Sequence, residues 1–118
     1  MPHATKIPIT DHQGIPWEPH PRYPTVYFKP LIKGADNAFV GVGLVRFPPG
    51  GVIGIHIHAS EVETIYALAG EGVFTLQDED MIFSAGQIVS VPIGMEHGLR
   101  NESEDDLEIM TIFTPPLS

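Results

Sequence analysis

Apolar and polar positions in this chain follow one another in short runs with a period near two. From Tyr23 onward the segments TVYFKPLI, AFVGVGLVRF, VIGIHIH, ETIYALA, GVFTLQ, MIFS, QIVSVP and LEIMTIF are rich in β-branched and aromatic residues and are separated by Gly, Pro or acidic turns. Such runs read as strands, and no window carries the 3.6-residue spacing of an amphipathic helix. Repeated strand and turn signals over residues 23–118 predict one all-β domain, a sandwich or barrel of antiparallel strands. Pro49-Gly50 has the residues that a type II turn places at its two centres, and Gly70-Glu71-Gly72 allows a tight reversal between strands.

Residues 1–22 break this pattern. They hold five prolines and three histidines (His3, His12 and His20) and no sustained period, which predicts an extended N-terminal arm. Trp17 is its one large aromatic group and is expected to pack on the body or on a partner subunit. Two strands, Phe39 to Phe47 and Leu107 to Phe113, are apolar on both faces, whereas a strand with one wet face should alternate. Their outer faces therefore call for cover, either from a second copy in a homodimer or from the two sheets of a monomer.

Composition bounds the function. With 118 residues, 42% hydrophobic and 18% charged, the chain suits a single globular domain whose chemistry must lie inside its one core. A formal charge of −9, with only six Lys and Arg, removes the basic surface that nucleic acid requires. The acidic runs Gln77 to Asp80 and Glu102 to Asp106 read as solvated turns, since neither has the spacing of a calcium loop. No apolar run is long enough to span a bilayer and the start lacks a secretory pattern, so a cytoplasmic protein without membrane attachment is expected. Cysteine is absent, which leaves nitrogen and oxygen donors for any metal.

Those donors occur together. In GGVIGIHIHASEVETIYALAG, His56 and His58 would project from the same strand face roughly 7 Å apart at Cα, and Glu63 can arrive from the next strand. GQIVSVPIGMEHGLRN adds His97 after a Pro92/Gly94 turn. Three imidazoles and a carboxylate suit one divalent first-row metal ion, with Fe(II) or Mn(II) favoured and Zn(II) or Ni(II) as alternatives. Glu61 competes with Glu63 but reads as a solvated loop carboxylate. Glu96 and Arg100 have the opposite parity to His97 and read as surface charges. His3, His12 and His20 lack partner ligands at a convincing spacing.

These two blocks resemble the paired motifs of the cupin superfamily. The first motif, Gly, five residues, His-x-His, four residues, Glu, six residues and Gly, is met by Gly50, His56, His58, Glu63 and Gly70. The second, Gly, five residues, Pro-x-Gly, two residues, His, three residues and Asn, is met by Gly86, Pro92, Gly94, His97 and Asn101. The resemblance implies a small single-domain jelly-roll β-barrel with His56, His58, Glu63 and His97 as metal ligands. It also favours the homodimer.

Residues sharing strand parity with the ligands are expected to line a small-molecule cavity: Ile65 and Ala67 after Glu63, Leu99 after His97, and Ile109, Thr111 and Phe113 on the last strand. Phe39, Gly41, Gly43 and Val45 form one parity class on an earlier strand. Facing inward, Gly41 and Gly43 would leave open space near the metal, or else they permit close strand packing or a bulge. The wall is thus mainly apolar, and with Arg46 and Arg100 the cations nearest the motifs, a strongly anionic substrate is not indicated. The ending IMTIFTPP and the early PWE are similar to cupins that linearise unsaturated uronates, which carry a catalytic Asp where Thr111 stands and often a Gln where Glu63 stands. The expected function is a mononuclear metal-dependent oxidoreductase of dioxygenase type acting on a small oxygenated compound. The alternatives are a metal-assisted isomerase or lyase, in which Glu63 or a bound water moves the proton, and a ligand-binding module without turnover.

Overall fold

A computed structural model describes residues 9–117. After a 3-10 turn at His12–Gly14, ten strands follow in chain order: β1 (Glu18–Pro19), β2 (Tyr27–Ile32), β3 (Gly41–Phe47), β4 (Val52–His56), β5 (Val62–Ala69), β6 (Glu71–Leu76), β7 (Glu79–Ser84), β8 (Ile88–Val91), β9 (His97–Arg100) and β10 (Leu107–Thr114). They form two antiparallel sheets, of six strands in the order β1-β2-β3-β10-β5-β8 and of four in the order β4-β9-β6-β7. The all-β antiparallel architecture expected from the alternation forms, as the jelly roll that the resemblance implied. The last long loop-free segment, LEIMTIF, becomes the central strand β10, pairing with β3 on one side and β5 on the other.

Two expectations change. Gly70 does not close a hairpin, because β5 and β6 belong to different sheets and the chain crosses from one to the other at this residue. Gly70 sits at φ +81°, and a Cβ there would collide with the carbonyl oxygen of Asp106, so only glycine fits. β3 begins at Gly41 and leaves Phe39 82% exposed before the strand, outside the inward set.

The core lies between the sheets, with Phe47, Leu107, Val26 and Val91 all but fully enclosed. Asn101 ties the loops around it. Its Nδ2 donates to the carbonyls of Phe47 (2.8 Å) and Asp105 (2.7 Å), and its Oδ1 accepts from the Ser103 backbone N–H (2.9 Å) and hydroxyl (2.7 Å). Every polar atom of this buried side chain is therefore satisfied, which is what allows it to be buried at all.

The described part of the arm packs on the body. β1 pairs with β2, and the Trp17 ring is flanked by the Lys29 ammonium at 4.8 Å and the Arg46 guanidinium at 4.7 Å. The body-packing alternative for Trp17 is met by cation–π contact on the outer face of the larger sheet. His3 lies outside the described residues. No helix among the described residues is long and apolar enough to cross a membrane.

Asn101→Ala removes four hydrogen bonds and leaves buried carbonyls unpaired, so it should cost about 2 kcal/mol or more and lower Tm by roughly 8 °C. Thermal unfolding of the variant measures this. An unchanged Tm would show that the side chain does not hold the loops.

Candidate metal centre

His56 ends β4 and is the direct cross-strand partner of His97 at the start of β9, which brings the two rings to 4.3 Å between centroids. His58 lies two residues beyond the strand, not within it as the alternation suggested. Its carbonyl accepts from the Gly94 N–H (2.9 Å), so the turn of the second motif holds the end of the first. Glu63 comes from β5 in the opposite sheet. The four side chains each offer one donor atom, all within 4.8 Å of one another.

Hydrogen bonds from behind aim these donors. His56 Nδ1 lies 2.7 Å from the Gly54 carbonyl and His97 Nδ1 lies 2.9 Å from the Met95 carbonyl. A carbonyl can only accept, so each Nδ1 carries a proton, and each Nε2 is the inward atom that could bind an ion once it gives up any proton shared with Glu63. Those Nε2 atoms converge: His56 and His58 at 3.1 Å from each other, and His58 and His97 at 3.3 and 3.0 Å from Glu63 Oε1. The other carboxylate oxygen, Oε2, accepts a short hydrogen bond from the Thr111 hydroxyl. This is the arrangement in which outer hydrogen bonds fix the orientation of metal-binding groups.

The electrostatics agree. Burial alone raises the Glu63 carboxyl, but hydrogen bonds from His58, His97 and Thr111 outweigh it and hold the group at about 2. Burial lowers His97, yet its bond to Glu63 and the Met95 carbonyl carry it above the ordinary imidazole value. Burial leads in lowering His56, and the neighbouring His97 and His58 add to it. An ionised carboxylate beside three imidazoles is a site prepared for a cation. The donor set and its tautomers fit one divalent ion bound through three nitrogens and one oxygen.

The centre faces a cavity of about 520 Å³ between the sheets. Gly43, Ile65, Leu99, Thr111 and Phe113 line it, as does Ile109. Ala67 shares the parity of Ile65 but is fully buried in the core and does not reach the cavity. The glycines do not supply its open volume. A Cβ on Gly43 would stand 2.6 Å from the Phe28 ring, and one on Gly41 would stand 3.2 Å from Pro116 Cβ, so close packing is their role. Glu61 and Glu96 are not part of the cluster, and Arg100 pairs with Asp80 and Glu102.

Aromatic rings surround the imidazoles. Phe113 meets His58 edge-on at 5.0 Å, Phe74 stacks on His97 at 6.3 Å, and Tyr23 lies 5.9 Å from His56. Tyr23, Phe28 and His20 escaped the motif-based reading because they come from the proline-rich arm and the first long strand. Parity within the motifs says nothing about segments that cross the barrel opening.

A family model described as "Cupin domain" matches residues 43–113. An oxalate-binding protein of Thermotoga maritima is 35% identical over 68 residues, which cover 58% of this chain and 56% of that protein. Polyketide synthase CurC of Streptomyces cyaneus is 29% identical over 86 residues, covering 73% and 54%. The chain thus spans just over half the length of these curated relatives. Among solved structures, that of a predicted oxalate decarboxylase from Thermotoga maritima superposes with a TM-score of 0.82 at 26% identity, covering 91% of this chain and 98% of the other.

Thr111→Val removes the donor to Glu63 Oε2 and should weaken metal binding by about tenfold or more, whereas Thr111→Ser should preserve it. Competition with a chromophoric chelator measures both. Equal affinities in the wild type and the valine variant would remove Thr111 from the centre.

Proposed function

Because this chain belongs to the cupin domain family, we propose that it is a mononuclear metal-dependent enzyme that binds a small oxygenated organic compound through the ion held by His56, His58, Glu63 and His97. The observation that carries this reading is the convergence of four donors at the wall of an otherwise mainly apolar cavity. Four ligands leave open positions on an ion that prefers six, which suits a catalytic centre over a closed structural one. Fe(II) or Mn(II) would supply the Lewis acidity that stabilises a chelated enolate and the redox chemistry that engages O₂.

The chain's own residues favour oxidation over proton shuffling. Glu63 has Oε1 turned to the ligand cluster and Oε2 bound by Thr111, so neither oxygen is left to serve a substrate as base. In the uronate-linearising cupins that this chain resembles, the position of Thr111 carries a catalytic Asp. Here a hydroxyl committed to Glu63 stands in its place. Phe113, Phe74 and Tyr23 form flat walls around the imidazoles and fit an unsaturated, enolic or phenolic carbon skeleton. A dioxygenase reaction on such a compound balances without an external reductant, since the substrate supplies the electrons and both oxygen atoms enter the products.

A redox-neutral reaction or binding alone is the second reading, favoured by the relatives named for oxalate binding and for polyketide synthesis. The homodimer belongs to this proposal as well. Tyr66, Leu68 and Ile88 are exposed on the outer face of the larger sheet, where Met110 and Ile112 of β10 lie beside them. A second copy covering this face explains why β10 is apolar on both sides.

With Fe(II) restored under argon, catechols and 1,3-diketones should consume about one O₂ per substrate on admission of air. His56→Ala should abolish this uptake. Substrate loss at the same rate without O₂ would replace the oxidative reading by the redox-neutral one. For assembly, light scattering should give a dimer mass that Tyr66→Glu reduces to a monomer, and a monomeric wild type would contradict it.

A further inference from the structure

The cavity is lined by two cations that form no ion pair among the described residues. Six Lys and Arg occur in the chain, and five lie among the described residues: Arg22, Lys29, Lys33, Arg46 and Arg100. Three of these are engaged. Lys29 is buried, donates to the His12 carbonyl at 2.9 Å and faces Trp17. Arg46 lies over Trp17 and Tyr27, and Arg100 is bound to Asp80 and Glu102. Arg22 and Lys33 are exposed, line the cavity, and have no carboxylate within ion-pair distance among the described residues. Among the described residues they are also the only Lys or Arg on its wall, and Glu63 is the only acid there.

His20 adds a neutral donor to the same rim. The backbone N–H of Arg22 donates to His20 Nδ1 at 3.1 Å, so the ring proton of the neutral imidazole sits on Nε2. Burial, followed by the nearby Arg22 charge, lowers this histidine and keeps it neutral. The ring is fixed between Tyr23 at 5.0 Å and Phe28 at 5.5 Å, and Tyr23 in turn reaches His56. The segment from His20 to Tyr23 therefore runs from the opening to the metal ligands.

Asp36 is the acid beside Lys33, its carboxylate accepting from the Lys33 backbone N–H at 3.0 Å but forming no ion pair with the ammonium, and two other acidic groups lie elsewhere. Phe47 pairs with Leu107 and Gly41 with Phe113, so the acidic loop that precedes Leu107 is at the end of β3 and β10 away from Gly41 and Lys33. Asp80 and Glu102 are occupied by Arg100 on the outer face of the smaller sheet. A cavity that is mainly apolar, with one buried acid, two cations outside any ion pair among the described residues and a neutral N–H donor on its wall, is complementary to an amphipathic anion.

We infer that the ligand of this cavity carries a carboxylate at the end remote from its chelating oxygens, and that Arg22 and Lys33, with His20 Nε2–H, select for it. The inference rests on the metal-centred reading above and deepens it by naming the charge of the substrate. The expectation from the motifs alone, that a strongly anionic substrate is not indicated, counted only Arg46 and Arg100 as the nearest cations. The selecting cations come from the arm and from the link between β2 and β3.

The test compares 3-(3,4-dihydroxyphenyl)propionate with 4-ethylcatechol, which share one chelating head and differ in a remote carboxylate. Calorimetric titration of the Zn(II)-loaded full chain under argon should show the acid binding about tenfold or more tightly at low ionic strength. Added salt should shrink the preference, because both cations are exposed and screened. The double variant Arg22→Gln/Lys33→Gln should lose the preference while keeping its zinc content and its affinity for 4-ethylcatechol. Equal binding of the two compounds by the wild type, or a preference that survives in the double variant, overturns the inference and leaves the metal-centred reading standing. Failure of both compounds to bind the zinc-loaded chain overturns both.

Discussion

A buried carboxylate among imidazoles is the constraint on which this structure depends. Glu63 is 8% exposed, and an ionised group so enclosed is costly unless hydrogen bonds or a cation compensate it. The fold supplies compensation from both sheets: His58 and His97 from the smaller sheet's side at one oxygen, and Thr111 from the neighbouring strand at the other. Each of these partners is itself held, His97 by the Met95 carbonyl and His58 through the Gly94 turn. A divalent ion at the same point would complete the compensation, which is why the cluster reads as a binding site and not as a structural polar network.

Much of this was legible in the sequence. The period of two predicted the strands, and the ten motif positions include the four donor residues that the fold brings together. Their spacing carries physical meaning in the fold. Gly50, Gly70, Gly86 and Gly94 all adopt positive φ, which side-chain-bearing residues rarely adopt. Asn101, the last motif residue, stands away from the ligand cluster and stitches the loops at Phe47 and Asp105. The motifs therefore encode turns as much as ligands.

What stayed hidden was decided by packing between distant segments. Parity places Gly41 and Gly43 on the inward face, but only the folded chain shows that Pro116 and the Phe28 ring fill the room above them. Parity likewise groups Ala67 with Ile65, although the cavity ends before Ala67 is reached. His20, Arg22 and Tyr23 lie in a proline-rich stretch with no periodicity, and nothing local marks them. They reach the site because β1 pairs with β2 at the edge of the larger sheet and the turn between them lies against the opening.

All functional readings, whether oxidative, redox-neutral or binding alone, share one requirement, that His56, His58, Glu63 and His97 hold a single ion. Elemental analysis of protein purified without chelators or a metal-affinity step addresses it most directly. One divalent first-row ion per chain, lost in a folded His56→Ala/His58→Ala variant, is the expected result. Stoichiometric metal retained by that folded double variant would contradict it.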